Sequence, residues 1–286
     1  MKIGIGIPNQ IRNVGAEVIP EWARRAEDAG FSSLGTVGRV AYPGVMDTVA
    51  LAAAAGATSR IGLISNVMLG PVWPALLLAK EAQSIDGVSG GRLTLGIGLG
   101  GRPDDFVVEG LGPRGTGGRL DRDIETYKSV WRGETPAGCD NPLVPEGSRE
   151  VPLLFGGMVQ ASYDRVARSG RGYVGASVPA HMVAGAFDGV RAAWKEAGRD
   201  GSPYLVGIAY FAVADIEGGR ANVYDYYSTA GADTAGFISS AVSGGADAIK
   251  KTVGEFEAIG ADELILNPTS DDIDEIQRVA EVVLSN

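Results

Sequence analysis

Short segments that alternate apolar and small residues are followed, again and again, by longer segments whose apolar residues recur every three to four positions. Ile3, Ile5 and Ile7 alternate with Gly4 and Gly6, a period of two. Ile19, Trp22, Ala23 and Ala26 then mark one helix face, closed by Gly30. A chain that switches so regularly between strand and helix builds a parallel sheet, because each helix carries it back to start the next strand alongside. Strands are predicted at residues 3–7, 32–37, 61–67, 93–99, 151–155, 172–175, 204–213 and 263–266. Helices are predicted between them, one from about Val45 to Ala57, one from near Pro74 to about Ser84, and one on the face of Leu120, Ile124, Tyr127 and Trp131. Eight such units favour a single (β/α)8 barrel over residues 1–286 rather than a doubly wound sheet. The connections after strands four and seven are enlarged. Gly30, Gly170 and Gly260 punctuate helix ends.

Composition removes several chemistries. Glycine accounts for 43 of 286 residues without a Gly-X-Y period, so the excess serves turns and close approaches rather than a collagen helix. One histidine, His181, and one cysteine, Cys139, rule out a Cys/His zinc site, a disulfide and an HExxH helix. Asp271, Asp272 and Asp274 lack the spacing of a calcium loop and read as acids in the first turn of the last helix, so no metal is expected. A net charge of −10 argues against nucleic acid and anionic membrane surfaces as partners. No apolar run is long enough to span a bilayer, and Met1-Lys2 leads into a strand rather than a signal sequence; with the lone cysteine, this points to the cytoplasm.

In a barrel of this kind the site forms where the strands end. Those positions hold Pro8, Arg39 and Tyr42, Asn66-Val67-Met68, Gly98-Leu99-Gly100-Gly101-Arg102, Gly156-Gly157-Met158 and Ala176-Ser177. Gly96 to Gly101 formally fits G-x-G-x-x-G, but the glycines continue a strand instead of opening a helix, which disfavours a dinucleotide fold. Gly98, Gly100 and Gly101 strip the rim of side chains, as a flat ring lying on backbone requires. Gly156-Gly157, between a strand and a helix start, offers free N–H groups to a phosphate shared with Ala176 and Ser177; an ordinary glycine turn reads the same way. Arg39 is a candidate for binding an anion or a developing negative charge, or a solvated rim arginine. His181 is a candidate acid/base or substrate ligand, or a surface residue at a helix start. Tyr42 and Trp73 are candidates for an apolar substrate wall with Pro8 and Met68, although Trp73 before Pro74 also suits plain packing. Arg92, at the opposite end of its strand, reads as structural.

The ordered series Thr58-Ser59-Arg60-Ile61-Gly62-Leu63, Pro74, Ala79-Lys80-Glu81-Ala82, Ser89-Gly90-Gly91-Arg92-Leu93 and Leu95-Gly96-Ile97-Gly98 resembles the bacterial luciferase-like flavin- and deazaflavin-dependent oxidoreductases. Arg102 to Phe106, Pro152 to Gly157 and Asp262-Glu263-Leu264 support it. The resemblance implies an isoalloxazine ring at the strand ends with its phosphate near strands five and six. Carried over, Gly156, Gly157, Met158, Ala176 and Ser177 contact the phosphate, Gly98, Leu99 and Gly100 line the cofactor, and a non-proline cis peptide falls at Asn66-Val67 behind the ring.

Two departures narrow the activity. The Asp-His pair that many members carry after strand two is Gly38-Arg39 here, and the glutamate of the deazaflavin-dependent sugar-phosphate dehydrogenases is missing from Gly100-Gly101-Arg102. The expected reaction is monooxygenation of a small organic substrate with reduced FMN and O2, the flavin supplied by a separate reductase. Hydride transfer with the deazaflavin F420 is the alternative, and a flavin-binding protein without turnover is a third reading. The resemblance also implies a homodimer.

Overall fold

The computed structural model describes residues 1–107, 112 and 114–285. Eight parallel strands close into a barrel: β1 (Lys2–Gly6), β2 (Ser33–Thr36), β3 (Gly62–Ser65), β4 (Leu93–Gly98), β5 (Leu153–Gly156), β6 (Gly172–Val174), β7 (Tyr204–Ala212) and β8 (Glu263–Pro268). Each strand pairs with the next, and β8 pairs with both β7 and β1, Lys2 standing opposite Glu263 and Ile5 opposite Leu266. The barrel and its eight strands therefore stand as the alternation predicted. No helix among the described residues is long and apolar enough to cross a membrane.

Side chains pointing inward, among them Ile64, Leu154, Val174, Val206, Ile208 and Ile265, pack into one small core. Those pointing outward join the helix faces in a larger one, where Trp22, Leu34, Phe155, Tyr173, Phe187 and Leu264 are buried. Each such side chain contributes roughly 1.5–3 kcal/mol when fully removed from water. Gly96 shows why a bare strand position is needed: a Cβ there would run into the carbonyl oxygen of Ser65 on the neighbouring strand.

The N-terminal end of the barrel is sealed by paired polar groups. Glu263 is buried and accepts hydrogen bonds from the hydroxyls of Ser32, Ser33 and Tyr204. Arg92 is structural, as expected: its guanidinium donates to the carbonyls of Ala55, Thr58, Ile61 and Ser89 and to the Thr58 hydroxyl. It thereby covers the open carbonyls of the helix Asp47–Ala57, which ends without a glycine.

Several boundaries differ from the sequence reading. The third strand stops at Ser65; after Asn66-Val67 the chain resumes pairing at Met68–Leu69, opposite Ile97 and Gly98. The helix after it runs Ala75–Ser89, past Ser84, because its buried face continues through Ile85 and Asp86 while Gly87 faces open space. Gly170 ends its helix with extended backbone (φ −96°) rather than left-handed, and the limit there is the Phe155 ring, 3.0 Å from where a Cβ would sit. The enlarged connections contain structure of their own. That after β4 holds the short helix Pro103–Val107, and that after β7 holds the helices Ile216–Tyr227 and Ala232–Ser240 and the two-residue strand Ser243–Gly244.

Candidate active site

The C-terminal strand ends surround a cavity of about 390 Å³, within the range usual for small-molecule and cofactor sites. Its floor is the break after β3. The Asn66–Val67 peptide is cis, as the resemblance implied. Val67 rises between two strands that present no side chain: a Cβ on Gly98 would lie 2.9 Å, and one on Gly156 3.4 Å, from its methyl groups. A flat ring fits over such a platform, since nothing projects beside the valine. Asn66 also lines the floor. Its amide nitrogen and oxygen are both buried without a hydrogen-bond partner, as are those of Asn267 at the end of β8. Buried polar atoms are nearly always paired, and an ordered water is the usual partner for side chains buried this deeply.

One side of the cavity is bare backbone. Gly157 has φ +120°, a conformation that favours glycine, and a Cβ on it would strike the Ser162 hydroxyl. Its carbonyl accepts from the Tyr173 hydroxyl at 3.1 Å, which fixes the turn. The helix Gln160–Ser169 then starts at Val159 with no side-chain cap, leaving first-turn N–H groups open to an anion. Ala176 and Ser177 at the end of β6 flank this turn, and the Ser177 hydroxyl lies 3.3 Å from that of Tyr227.

Another part of the lining is aromatic and cationic. Arg102 stacks on Tyr226 and Tyr227, its guanidinium carbon 4.8 and 4.6 Å from their ring centroids. No carboxylate pairs with it among the described residues. Burial works against its charge, but the facing phenols of Tyr226, Tyr227 and Tyr210 outweigh that and hold its pKa above the ordinary value. Among the described residues lining the cavity, Arg102 is the one cation, and no histidine or carboxylate is present.

Of the residues marked in the sequence, Asn66, Val67, Gly100, Gly156, Gly157, Met158, Ala176 and Ser177 are brought together around this cavity. Gly98 lies behind Val67, and Leu99 packs toward the core instead. The proposed substrate wall does not assemble there. Pro8 opens a buried turn at the rim that is tied down when Gln10 donates to the Pro268 carbonyl. Tyr42 donates to Asp225 at 2.7 Å. Met68 is turned into the core by the break before it, and Trp73 packs against Leu69, Val72 and Phe106 ahead of its helix.

Neither charged candidate lines the main cavity. Arg39 is turned away beneath the rim, its side chain 2% exposed, with Asp104 and Asp105 as partners. His181 is exposed in the first turn of the helix Ala180–Glu196 and faces an adjoining space of about 320 Å³ that also holds Lys251 and Glu255. Sequence reading missed Tyr226, Tyr227, Thr234 and Ile238 as lining residues. The run Tyr224-Asp225-Tyr226-Tyr227 was the available signal, but it lies in a connection whose path no periodicity fixes. Arg102 stood in the strand-end motif without a role.

Barrel and cavity leave the chemistry open, and comparison with known proteins places the chain. Residues 1–243 match the luciferase-like monooxygenase family, and the chain belongs to that family. A Mycobacterium tuberculosis protein of uncharacterised activity is 29% identical over 176 residues, covering 51% of this chain. The match spans 61% of that relative's own length. The oxygenase component of a flavin-dependent trigonelline monooxygenase from Acinetobacter baylyi is 32% identical over 82 residues, 28% of this chain and 23% of that protein. Among solved structures, an F420-dependent secondary alcohol dehydrogenase in complex with an F420–acetone adduct superposes with a TM-score of 0.81 over 99% of both chains at 16% identity. At that identity the likeness is one of fold.

Proposed function

We propose that this chain is the oxygenase of a flavin-dependent monooxygenase, using reduced FMN and O2 on a small organic substrate, with the flavin reduced by a separate protein. The observation that carries the reading is that one cavity is lined both by a bare-backbone turn at Gly157 and by a cation, Arg102, that has no carboxylate partner among the described residues. A single phosphate matches one cation and a set of open N–H groups. FMN fits these residues. Val67 would support the ring, and Gly156, Gly157, Met158, Ala176 and Ser177 with Arg102 would hold the phosphate end.

Reduced flavin, when bound, supplies the electrons that activate oxygen. The chain supplies placement and exclusion of water. Tyr226 and Tyr227 cover one side of the ring site, and burial raises the Tyr226 phenol far above its ordinary pKa, so it stays a neutral donor. With no histidine or carboxylate among the described lining residues, the chain brings little acid–base chemistry of its own.

One observation favours F420 as the second reading. The adjoining space that carries His181 and Lys251 shares Ser177 and Val178 with the main cavity, on the side where a longer anionic tail would leave it. Titrating the purified protein with FMN and with F420, followed by anaerobic reduction and oxygen-uptake measurement, tests both. Tight FMN binding with oxygen consumption is expected. F420 binding alone would replace the first reading with the second, and a bound flavin that never consumes oxygen would make this a flavin carrier. Binding of neither would overturn the proposal.

A further inference from the structure

Arg39 does not enter the cavity, yet it holds both halves of the wall that does. Its Nη1 donates to the main-chain carbonyl of Tyr226 at 3.2 Å, its Nη2 donates to the carbonyl of Ala41 at 3.0 Å and to the carboxylate of Asp104, and its Nε faces Asp105 at 3.4 Å. Asp105 is 1% exposed and accepts in addition from the backbone N–H groups of Val40 and Ala41 at 3.0 and 2.9 Å. The Arg39 guanidinium also lies over the rings of Tyr42 and Tyr226, 5.4 and 5.8 Å from their centroids. One side chain thus clasps the connections after β2, β4 and β7.

The position of Arg102 depends on that clasp. Arg102 immediately precedes the five-residue helix Pro103–Val107, which is too short to be stable alone. The carboxylates that anchor that helix, Asp104 and Asp105, are those bound by Arg39. The Tyr226 ring under the Arg102 guanidinium belongs to the residue whose carbonyl Arg39 also binds.

We infer that Arg39 is a positioning residue for the phosphate end of the cofactor: it aligns Arg102 and Tyr226 without touching the ligand. This rests on the reading of Arg102 as the phosphate-facing cation given above. Lysine cannot replace it, because four diverging acceptors need the planar fork of a guanidinium rather than one ammonium.

The test compares FMN with riboflavin, which lacks the phosphate, in binding titrations of the intact protein. The wild type should prefer FMN. Arg39→Lys should lower that preference by about tenfold, a loss of one well-placed charged contact, while leaving riboflavin affinity within about twofold. Arg102→Met should lower the preference at least as far, leaving what the Gly157 turn supplies, and adding Arg39→Lys to it should change nothing more, the signature of coupled residues. Equal losses for FMN and riboflavin, or an Arg39→Lys effect that persists in the Arg102→Met background, would overturn the inference and leave Arg39 a purely structural clasp. Should Arg39→Lys fail to fold, Asp104→Asn, whose side chain is 36% exposed, is read by the same ratio. A wild type that binds F420 instead moves the comparison to F420 and its phosphate-free deazaflavin. A wild type that binds neither overturns the functional reading itself, whatever the variants do.

Discussion

Glu263 and Asp47 are both buried carboxylates, 3% and 4% exposed, at opposite ends of the barrel. Glu263, at the N-terminal end, accepts from three hydroxyls. Asp47, at the start of the helix after β2 and close behind Gly38 of the cavity, has the Thr48 N–H at 3.0 Å and no cationic partner among the described residues. Burial raises its pKa to about 6, with Glu81 adding like-charge repulsion. The contrast extends to side-chain hydrogen-bond donors. Arg92 at the closed end makes five side-chain hydrogen bonds to helix and strand ends, whereas the Asn66 and Asn267 amides at the open end make none. One end has spent its polar groups on holding the fold. The other leaves part of its buried polar set unpaired, Asn66 and Asn267 among them, at a cost of roughly 1–3 kcal/mol for each unsatisfied group, although Arg39 and Asp105 there are fully engaged.

That contrast breaks if damage to the open end leaves ligand binding intact, or damage to the closed end abolishes it. Gly157→Asp should show the largest effect: a carboxylate set against the phosphate turn should weaken FMN by about 100-fold or more. Gly157→Ala combines the backbone strain at φ +120° with a Cβ clash against the Ser162 hydroxyl, without added charge, and should cost about tenfold; equal effects of the two would show that geometry alone matters there. Arg92→Ala comes next, lowering stability by about 3 kcal/mol in urea titrations while FMN affinity of the folded protein stays within about twofold.

Asp47→Asn should give the smallest change, and one that depends on pH. A carboxyl whose pKa is higher in the folded protein than in the unfolded chain binds more protons when folded, so wild-type stability falls as pH rises from about 4 through about 6. The variant removes that slope. It should gain about 2 kcal/mol on wild type at pH 8 and match it at pH 4, read from denaturation midpoints across the range. A difference independent of pH would mean that Asp47 is already neutral or already solvated.

Much of this was written in local pattern. Alternating apolar residues marked β1 and β4, whereas short strands such as three-residue β6 were placed by the alternation of strand and helix around them. The Gly156-Gly157 turn was legible as a strand-to-helix connection, although an ordinary glycine turn reads the same way. What could not be read was direction. Met68 and Trp73 follow a break in the strand that reverses which side faces inward, and no periodicity spans it. Arg39 was marked as an anion-binding or a solvated rim residue and is instead buried beneath the rim, since a single residue past a strand end carries no phase. Tyr226 and Tyr227 reach the cavity from a helical excursion of the β7 connection, and only tertiary contact with Arg102 reveals them.

The closing register has a consequence for how the molecule is made. The first strand finds one of its two neighbours in the eighth, Lys2 beside Glu263, so during synthesis β1 waits with an unpaired edge until nearly the whole chain has left the ribosome. The portion matched by the family, residues 1–243, stops short of that last strand. A nascent chain arrested there would expose two open parallel edges, on β1 and β7, each a template for pairing with another chain.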